Sequence, residues 1–203
     1  TLFLPMRFYR SFIPAICAFA CILASCASSS EYQLKQLVGK RIVFPNPPVG
    51  YKDGAVFCSS AGELLADKPY TIIRVFDKID CNSCAVEKIP IYFDQLSETF
   101  PEVALIFVVP MSLGVQSETL SRLTPGVVCM YDQNFEFTKS NYIPKDERLK
   151  TWLVDAEGTI ILAGDPIGND ELTELYKSII DSYLSLLDMD ESLSENIRNA
   201  GQG

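Results

Sequence analysis

Histidine does not occur in any of the 203 residues, and this absence removes more chemistry than any other feature of the composition. Without imidazole there is no Ser-His or Cys-His nucleophile pair, no acid–base relay of the imidazole kind and no His-ligated metal site. Thiols, carboxylates, hydroxyls and amines are what remain. Basic blocks are missing too. The net charge is −9 and no Lys/Arg run is long enough to follow a phosphate backbone, so no nucleic-acid partner is expected. Nor does any apolar run reach the roughly 20 residues that a membrane-spanning helix needs. At 48% hydrophobic and 21% charged, the composition is that of a globular chain, not a disordered one. Its length suits a leader plus one domain with a real core.

What is present begins with an address. The segment "MRFYRSFIPAICAFACILASC" (6–26) places Arg7 and Arg10 ahead of an apolar stretch from Phe12 to Leu23, with Met6 as a candidate start. Leu23-Ala24-Ser25-Cys26 resembles a bacterial lipobox, in which Cys26 is acylated once the leader is cut; an uncleaved signal anchor is the alternative. The expected organisation is a signal peptide over 1–25, a lipidated tether over 26–38, one domain over 39–188 and a flexible tail over 189–203. The expected location is the cell envelope, lipid-anchored to a bacterial membrane on its extracytoplasmic, periplasmic or surface side. Disulfides persist there.

Along the domain, "QLVGKRIVFP" (36–45) reads as a helical turn and a strand over Arg41–Phe44 stopped by Pro45, and "NPPVGYKDG" as a loop. "AVFCSSAGELLADKP" combines a strand remnant and a helical turn. "YTIIRVF" (70–76) is a β-branched run and predicts a strand. A helix capped by Asn82 or Ser83 should follow, with Ala85, Ile89, Tyr92, Phe93, Leu96 and Phe100 on its inner face and a kink at Pro90. "VALIFVV" (103–109) is apolar on both faces, as a central buried strand would be. A short helix near Ser117–Leu123 and a strand "VVCMY" (127–131) come next. The Lys145–Lys150 charge run is expected to be a solvated loop. "TWLVDAEGTIILAG" (151–164) predicts a hairpin, with Trp152 in the core. The last helix repeats at Leu172, Leu175, Tyr176, Ile179, Ile180, Tyr183, Leu184 and Leu187, with Asn169 as its cap. The alternation predicts an α/β domain, a mixed central sheet with helices on both faces.

Between the first strand and the first helix lies Cys81-Asn82-Ser83-Cys84. The thiolate is the reactive form of cysteine, and a helix N-terminus favours it through unpaired N–H groups. Cys81 is therefore the expected attacking sulfur. Cys84, one turn into the helix, is close enough to resolve a mixed disulfide. Asp77 and Asp80 oppose this, because a neighbouring carboxylate disfavours the thiolate.

At these residues the chain resembles the thioredoxin-like superfamily, and within it the membrane-tethered TlpA/ResA-like branch (redoxin/AhpC-TSA type). The likeness rests on "TIIRVF" before "CNSC", an early helix proline, "VALIFVV", and "WLVDAEGTIILAG" followed by an amphipathic helix. "QLVGKRIVFP" and "FTKSNYIPKDERLKTWLVD" further resemble envelope lipoproteins of anaerobes with thioredoxin folds. The resemblance covers roughly 39–188 and implies a thioredoxin-like fold with Cys81 attacking and Cys84 resolving. It also implies a thiol–disulfide oxidoreductase that needs no organic cofactor or metal, but needs protein thiol or disulfide substrates and a redox partner protein. Glu87 matches an acidic residue common in the tethered branch; its ordinary reading is a solvated helix carboxylate.

Four departures stand out. Asp80 replaces the tryptophan usual before the first cysteine, and Pro90 sits one residue late. Val75 occupies the family's buried acidic position. Leu149-Lys150 stands where a cis-proline is expected, and since a non-proline cis bond costs roughly 3 kcal/mol, a trans bond is predicted. A peroxiredoxin would need a threonine where Lys78 stands. A zinc site would need Cys58 or Cys129 to join the pair. Cys129 reads most simply as a small core residue, whereas Cys58 is open to the same role or to pairing. The alternative from another class is a non-catalytic binding or scaffold lipoprotein with a structural CxxC.

Overall fold

The computed structural model describes residues 28–66, 68–77, 82–110, 126–183 and 185; for residues 28 and 82–87 it describes the backbone alone. In chain order the elements are α1 (Ser28–Leu37), the hairpin strands β1 (Val49–Lys52) and β2 (Ala55–Cys58), α2 (Ala61–Leu65), β3 (Tyr70–Val75), α3 (Asn82–Thr99) and β4 (Ala104–Pro110). After them come β5 (Val128–Asp132), α4 (Glu136–Ser140), β6 (Thr151–Asp155), β7 (Ile160–Ala163) and α5 over 170–183.

One seven-stranded sheet runs in the order β2-β1-β5-β4-β3-β6-β7. The pairs β3–β4 and β4–β5 are parallel, and every other pair is antiparallel. A parallel β3–α3–β4 unit beside an antiparallel β6–β7 hairpin and a closing helix is the thioredoxin-like fold, here widened by β5 and the β1–β2 hairpin. Strand side chains alternate between faces. Leu105, Phe107 and Val109 accordingly join the cluster of Ile89, Leu96 and Phe100 from α3 and Tyr176 and Ile180 from α5. Ile106 and Val108 join the opposite cluster, with Leu37 of α1, Leu65 of α2, Phe137 of α4 and Trp152. Both faces of β4 are buried, as its uninterrupted apolar run predicts.

Four expectations about local structure give way. Arg41–Phe44 is not a strand: Arg41 makes one isolated bridge to Thr159, and the backbone bonds to Gly158 and Ile160 clip the segment across the β6–β7 turn. Pro45, Pro47 and Pro48 follow at once, and proline offers no donor to extend a ladder. Residues 28–37, expected within a tether, form α1, which buries Leu37 and Gln33. Gln33 Oε1 accepts from the backbone N–H groups of Lys145 and Asp146, 112 and 113 residues away. Residues 49–52, expected in a loop, are β1; the turn Asp53-Gly54 has positive φ at both positions (50° and 83°), the geometry that joins two strands in a tight hairpin. Lastly, α3 starts at Asn82, so Asn82 and Ser83 occupy its first turn and not the cap position before it. The helix expected near Ser117–Leu123 lies outside the described residues.

The remaining elements stand where the sequence places them. Pro90 lies inside α3. Asn169 Oδ1 accepts from the N–H of Leu172 at 3.1 Å and caps α5. Trp152 is fully buried, its indole N–H donating to Leu149 O at 2.7 Å. Cys129 is buried and free, and Cys58 is exposed and free on the edge strand, with β1 between them.

Two predictions follow from the packing. A Cβ on Gly50 would sit 2.2 Å from Cys129 O and 2.7 Å from the Phe57 ring. Gly50→Ala should therefore push β1 off β5 and lower the urea midpoint by an amount worth about 1–3 kcal/mol. Burial also pushes the Cys129 thiol from an ordinary 9.0 up to about 12, and the Tyr131 hydroxyl from 10.0 up to about 12. From pH 9 towards pH 12 the unfolded chain gives up protons that the native chain retains, so stability falls as pH rises. Urea midpoints measured from pH 8 to pH 11 should decline, and Cys129→Ala should flatten the decline.

Candidate thiol site and the charged seam beneath it

Cys81 and Asp80 lie outside the described residues, as does the acylation candidate Cys26. The backbone of α3 is described from Asn82, so Cys84 is its third residue and Glu87 its sixth, both side chains lying outside the description. The chain positions of the pair therefore put Cys81 next to the first helical residue, after the end of β3.

The described residues at the C-terminal end of β3 and the start of β6 are polar. Arg74 lies on β3 opposite Thr151 of β6 and is 6% exposed. Its Nη1 donates to Thr151 Oγ1 at 2.8 Å, to Asp165 Oδ2 at 3.1 Å and to Glu147 O at 3.2 Å. The guanidinium carbon lies 4.9 Å from the Tyr92 ring centre and 5.7 Å from that of Phe76, within cation–π range. Tyr92 Oη donates to the same Asp165 oxygen at 3.1 Å. Burial pushes the Tyr92 pKa up; Arg74 opposes this and Asp165 adds to it. The Nε of Arg74 is buried without a hydrogen-bond partner among the described residues.

Lys150 is the second buried cation. Expected in a solvated loop, its side chain is instead 1% exposed, and its ammonium is paired with Asp77 and with Glu147. The reason is local. Residues 147–149 form a 3-10 turn, with Asp146 Oδ1 accepting from Arg148 N, and this turn aims Lys150 inward as β6 begins. Arg148, from the same charge run, points outward and is 80% exposed on its side chain. Its bonds to Asp146 hold that carboxyl below the ordinary range, against the effect of burial. Leu149 is partly buried against the Trp152 cluster. Among the described residues the cis bond is Asn46–Pro47, so the Leu149–Lys150 bond is trans as predicted. Val75 is buried and apolar.

Arg74, Tyr92, Thr151 and Asp165 were not candidates from the sequence, and Glu147 and Asp77 were not expected to be ion-pair partners. One signal was available: Arg74 is a lone cation inside "YTIIRVF", a run that predicts burial on both faces. Among the described residues, no group of three or more cysteine or acidic side chains is placed to hold a metal ion. A cleft of about 540 Å³ lies at the other end of β4, lined by Phe57, Phe93, Phe100 and Leu105 with Lys52 and Lys68. Leu149 and Lys150, the candidate residues whose side chains are described, do not line it.

No protein-family model matches the chain, and no curated protein matches it significantly in sequence. Among solved structures it is similar to the mitochondrial 2-Cys peroxiredoxin of Plasmodium falciparum, with 18% identity over 73% of this chain and 97% of that one and a TM-score of 0.49. It is also similar to yeast Sco1, with 21% identity over 66% of this chain and 96% of that one and a TM-score of 0.40. A thioredoxin-like protein from Bacteroides caccae is similar at 17% identity over 84% of this chain and 62% of that one, with a TM-score of 0.42. These likenesses carry no residue role over to this chain.

The seam generates its own prediction. Removing one member of a buried ion pair strands the other charge, at a cost of about 3–5 kcal/mol. Asp165→Ala should lower stability by that order in urea denaturation, whereas Arg148→Ala, which removes a solvent-facing charge, should leave the urea midpoint nearly unchanged.

Proposed function

We propose that the chain is an extracytoplasmic, lipid-anchored thiol–disulfide oxidoreductase in which Cys81 attacks and Cys84 resolves. The observation that carries this reading is the start of α3 at Asn82, directly after Cys81 in the chain and at the exit of β3. A helix N-terminus favours a thiolate beside it. In the reducing direction, the Cys81 thiolate attacks one sulfur of a substrate disulfide. The substrate S–S bond breaks, the released sulfur takes a proton from water, and a mixed disulfide remains. The Cys84 thiolate then attacks the Cys81 sulfur and releases the second substrate thiolate, which takes up a proton. The substrate has gained two electrons and the protein carries a Cys81–Cys84 disulfide, which an external dithiol donor or redox partner protein returns to two thiols. The oxidising direction runs the same exchange backwards, and neither direction calls for an organic cofactor.

A second reading, a binding or scaffold lipoprotein that keeps CxxC as a structural pair, is favoured by two observations. Val75 is apolar where the family has a buried acidic or amide residue, and Leu149-Lys150 stands where the family expects a cis-proline. One assay separates the two. The full-length chain in detergent, with dithiothreitol as donor, should accelerate insulin reduction well above dithiothreitol alone, and Cys81→Ser should fall to the uncatalysed rate. Wild-type protein no faster than Cys81→Ser would transfer the case to the scaffold reading.

A further inference from the structure

Asp77 is two residues beyond the end of β3 and four before Cys81. Four residues of chain cannot separate the two Cα atoms by more than about 14 Å. An unpaired carboxylate at that range, partly buried and weakly screened, disfavours a thiolate. It is not unpaired, because the buried ammonium of Lys150 sits on it. The backbone adds a second tie, since Val75 N donates to Lys150 O at 2.9 Å. Lys150 therefore holds the exit of β3 against the entry of β6 through both its main chain and its side chain.

We propose that Lys150 is a positioning residue of the thiol site: its buried ammonium neutralises Asp77, four residues before Cys81 in the chain, which keeps the Cys81 sulfur reactive at neutral pH. This rests on the assignment of Cys81 as the attacking thiol. The charges that face Lys150 are Asp77 from the β3 exit and Glu147 from the 3-10 turn. Arg74, Asp165 and Tyr92 form the adjoining cluster, joined to it where Arg74 Nη1 donates to Glu147 O.

The test is a mutant cycle read by the rate of Cys81 alkylation. The reduced full-length chain is treated with iodoacetamide between pH 5 and 10, and each cysteine is followed by peptide mass spectrometry. Lys150→Met leaves Asp77 negative and unopposed, so alkylation at pH 7 should slow about tenfold and its pH midpoint should rise by about one unit. Asp77→Asn removes the carboxylate and keeps the ammonium, so the midpoint should fall. The double variant should return close to wild type, and Lys150→Arg should keep most of the wild-type rate. Opposite shifts from the two halves of one pair are something a purely structural latch cannot produce. Shifts of the same sign in both variants, or no shift in either, would overturn the proposal. If Lys150→Met does not fold, Lys150→Gln and Asp77→Asn carry the same comparison. The insulin assay stays independent: a chain inactive there but showing the opposed shifts would lose the oxidoreductase reading and keep this one.

Discussion

Two cations are held out of water at one end of the central sheet, the end where β3 finishes ahead of the CxxC pair in the chain. Arg74 and Lys150 enter from the neighbouring strands β3 and β6, and each is answered by carboxylates carried on turns: Asp165 after β7, Glu147 before β6 and Asp77 after β3. Moving a charge from water into a protein interior costs several kcal/mol unless its partners are in place. The turns are therefore tied to the strands by charge as well as by main-chain bonds. A shift of the 147–149 turn or of the segment at Asp165 would leave a cation without its counter-charge, and that requirement, more than apolar packing, orders this end of the molecule.

The two halves of the seam do different work. Arg74 lies on the face shared with α3 and α5, beneath Phe76 and Tyr92, and its bonds to Thr151, Glu147 O and Asp165 tie β3, the turn before β6 and the segment after β7 together. It reaches the CxxC helix through Tyr92, whose hydroxyl shares Asp165 with it. Lys150 acts at the exit of β3, where its partner Asp77 leads into the segment carrying Cys81. One cation thus ties α3 to the sheet through Tyr92 and Asp165, and the other holds Asp77, just past the end of β3.

How legible this was depended on the length of the pattern. The runs "YTIIRVF" and "VALIFVV", the 151–164 hairpin and the repeat from Leu172 to Tyr183 each carry enough periodicity to decide element and face. β1 was missed because four residues beside three prolines carry little period, although Asp53-Gly54 was a hairpin signal in plain view. α1 was missed because its hold on the domain is Gln33 accepting two backbone bonds from more than a hundred residues away, and no local window contains that. As a charge run, Lys145–Lys150 reads as a single solvated loop. Its members separate only when the 3-10 turn points Arg148 to water and Lys150 to Asp77, a difference of tertiary origin. Arg74 was the more readable case, since a charge inside a strand with no solvent face must find a partner.

The seam also bears on which class of protein this is. A scaffold that had merely kept a thioredoxin-like fold would not need two buried cations, because apolar residues of similar volume are often as stable or more so in such places. Breaches of the local rules for a core tend to collect where a chain carries out chemistry. Here the breach lies at the C-terminal end of β3 and the start of β6. The large cleft at the other end of β4 is lined mainly by apolar side chains and contains none of the buried charge. The position six before Cys81 is the apolar, buried Val75, while a buried ammonium stands at the same end of the sheet. That ammonium already carries two carboxylates, Asp77 and Glu147, so what it offers the junction is an Asp77 whose charge is answered.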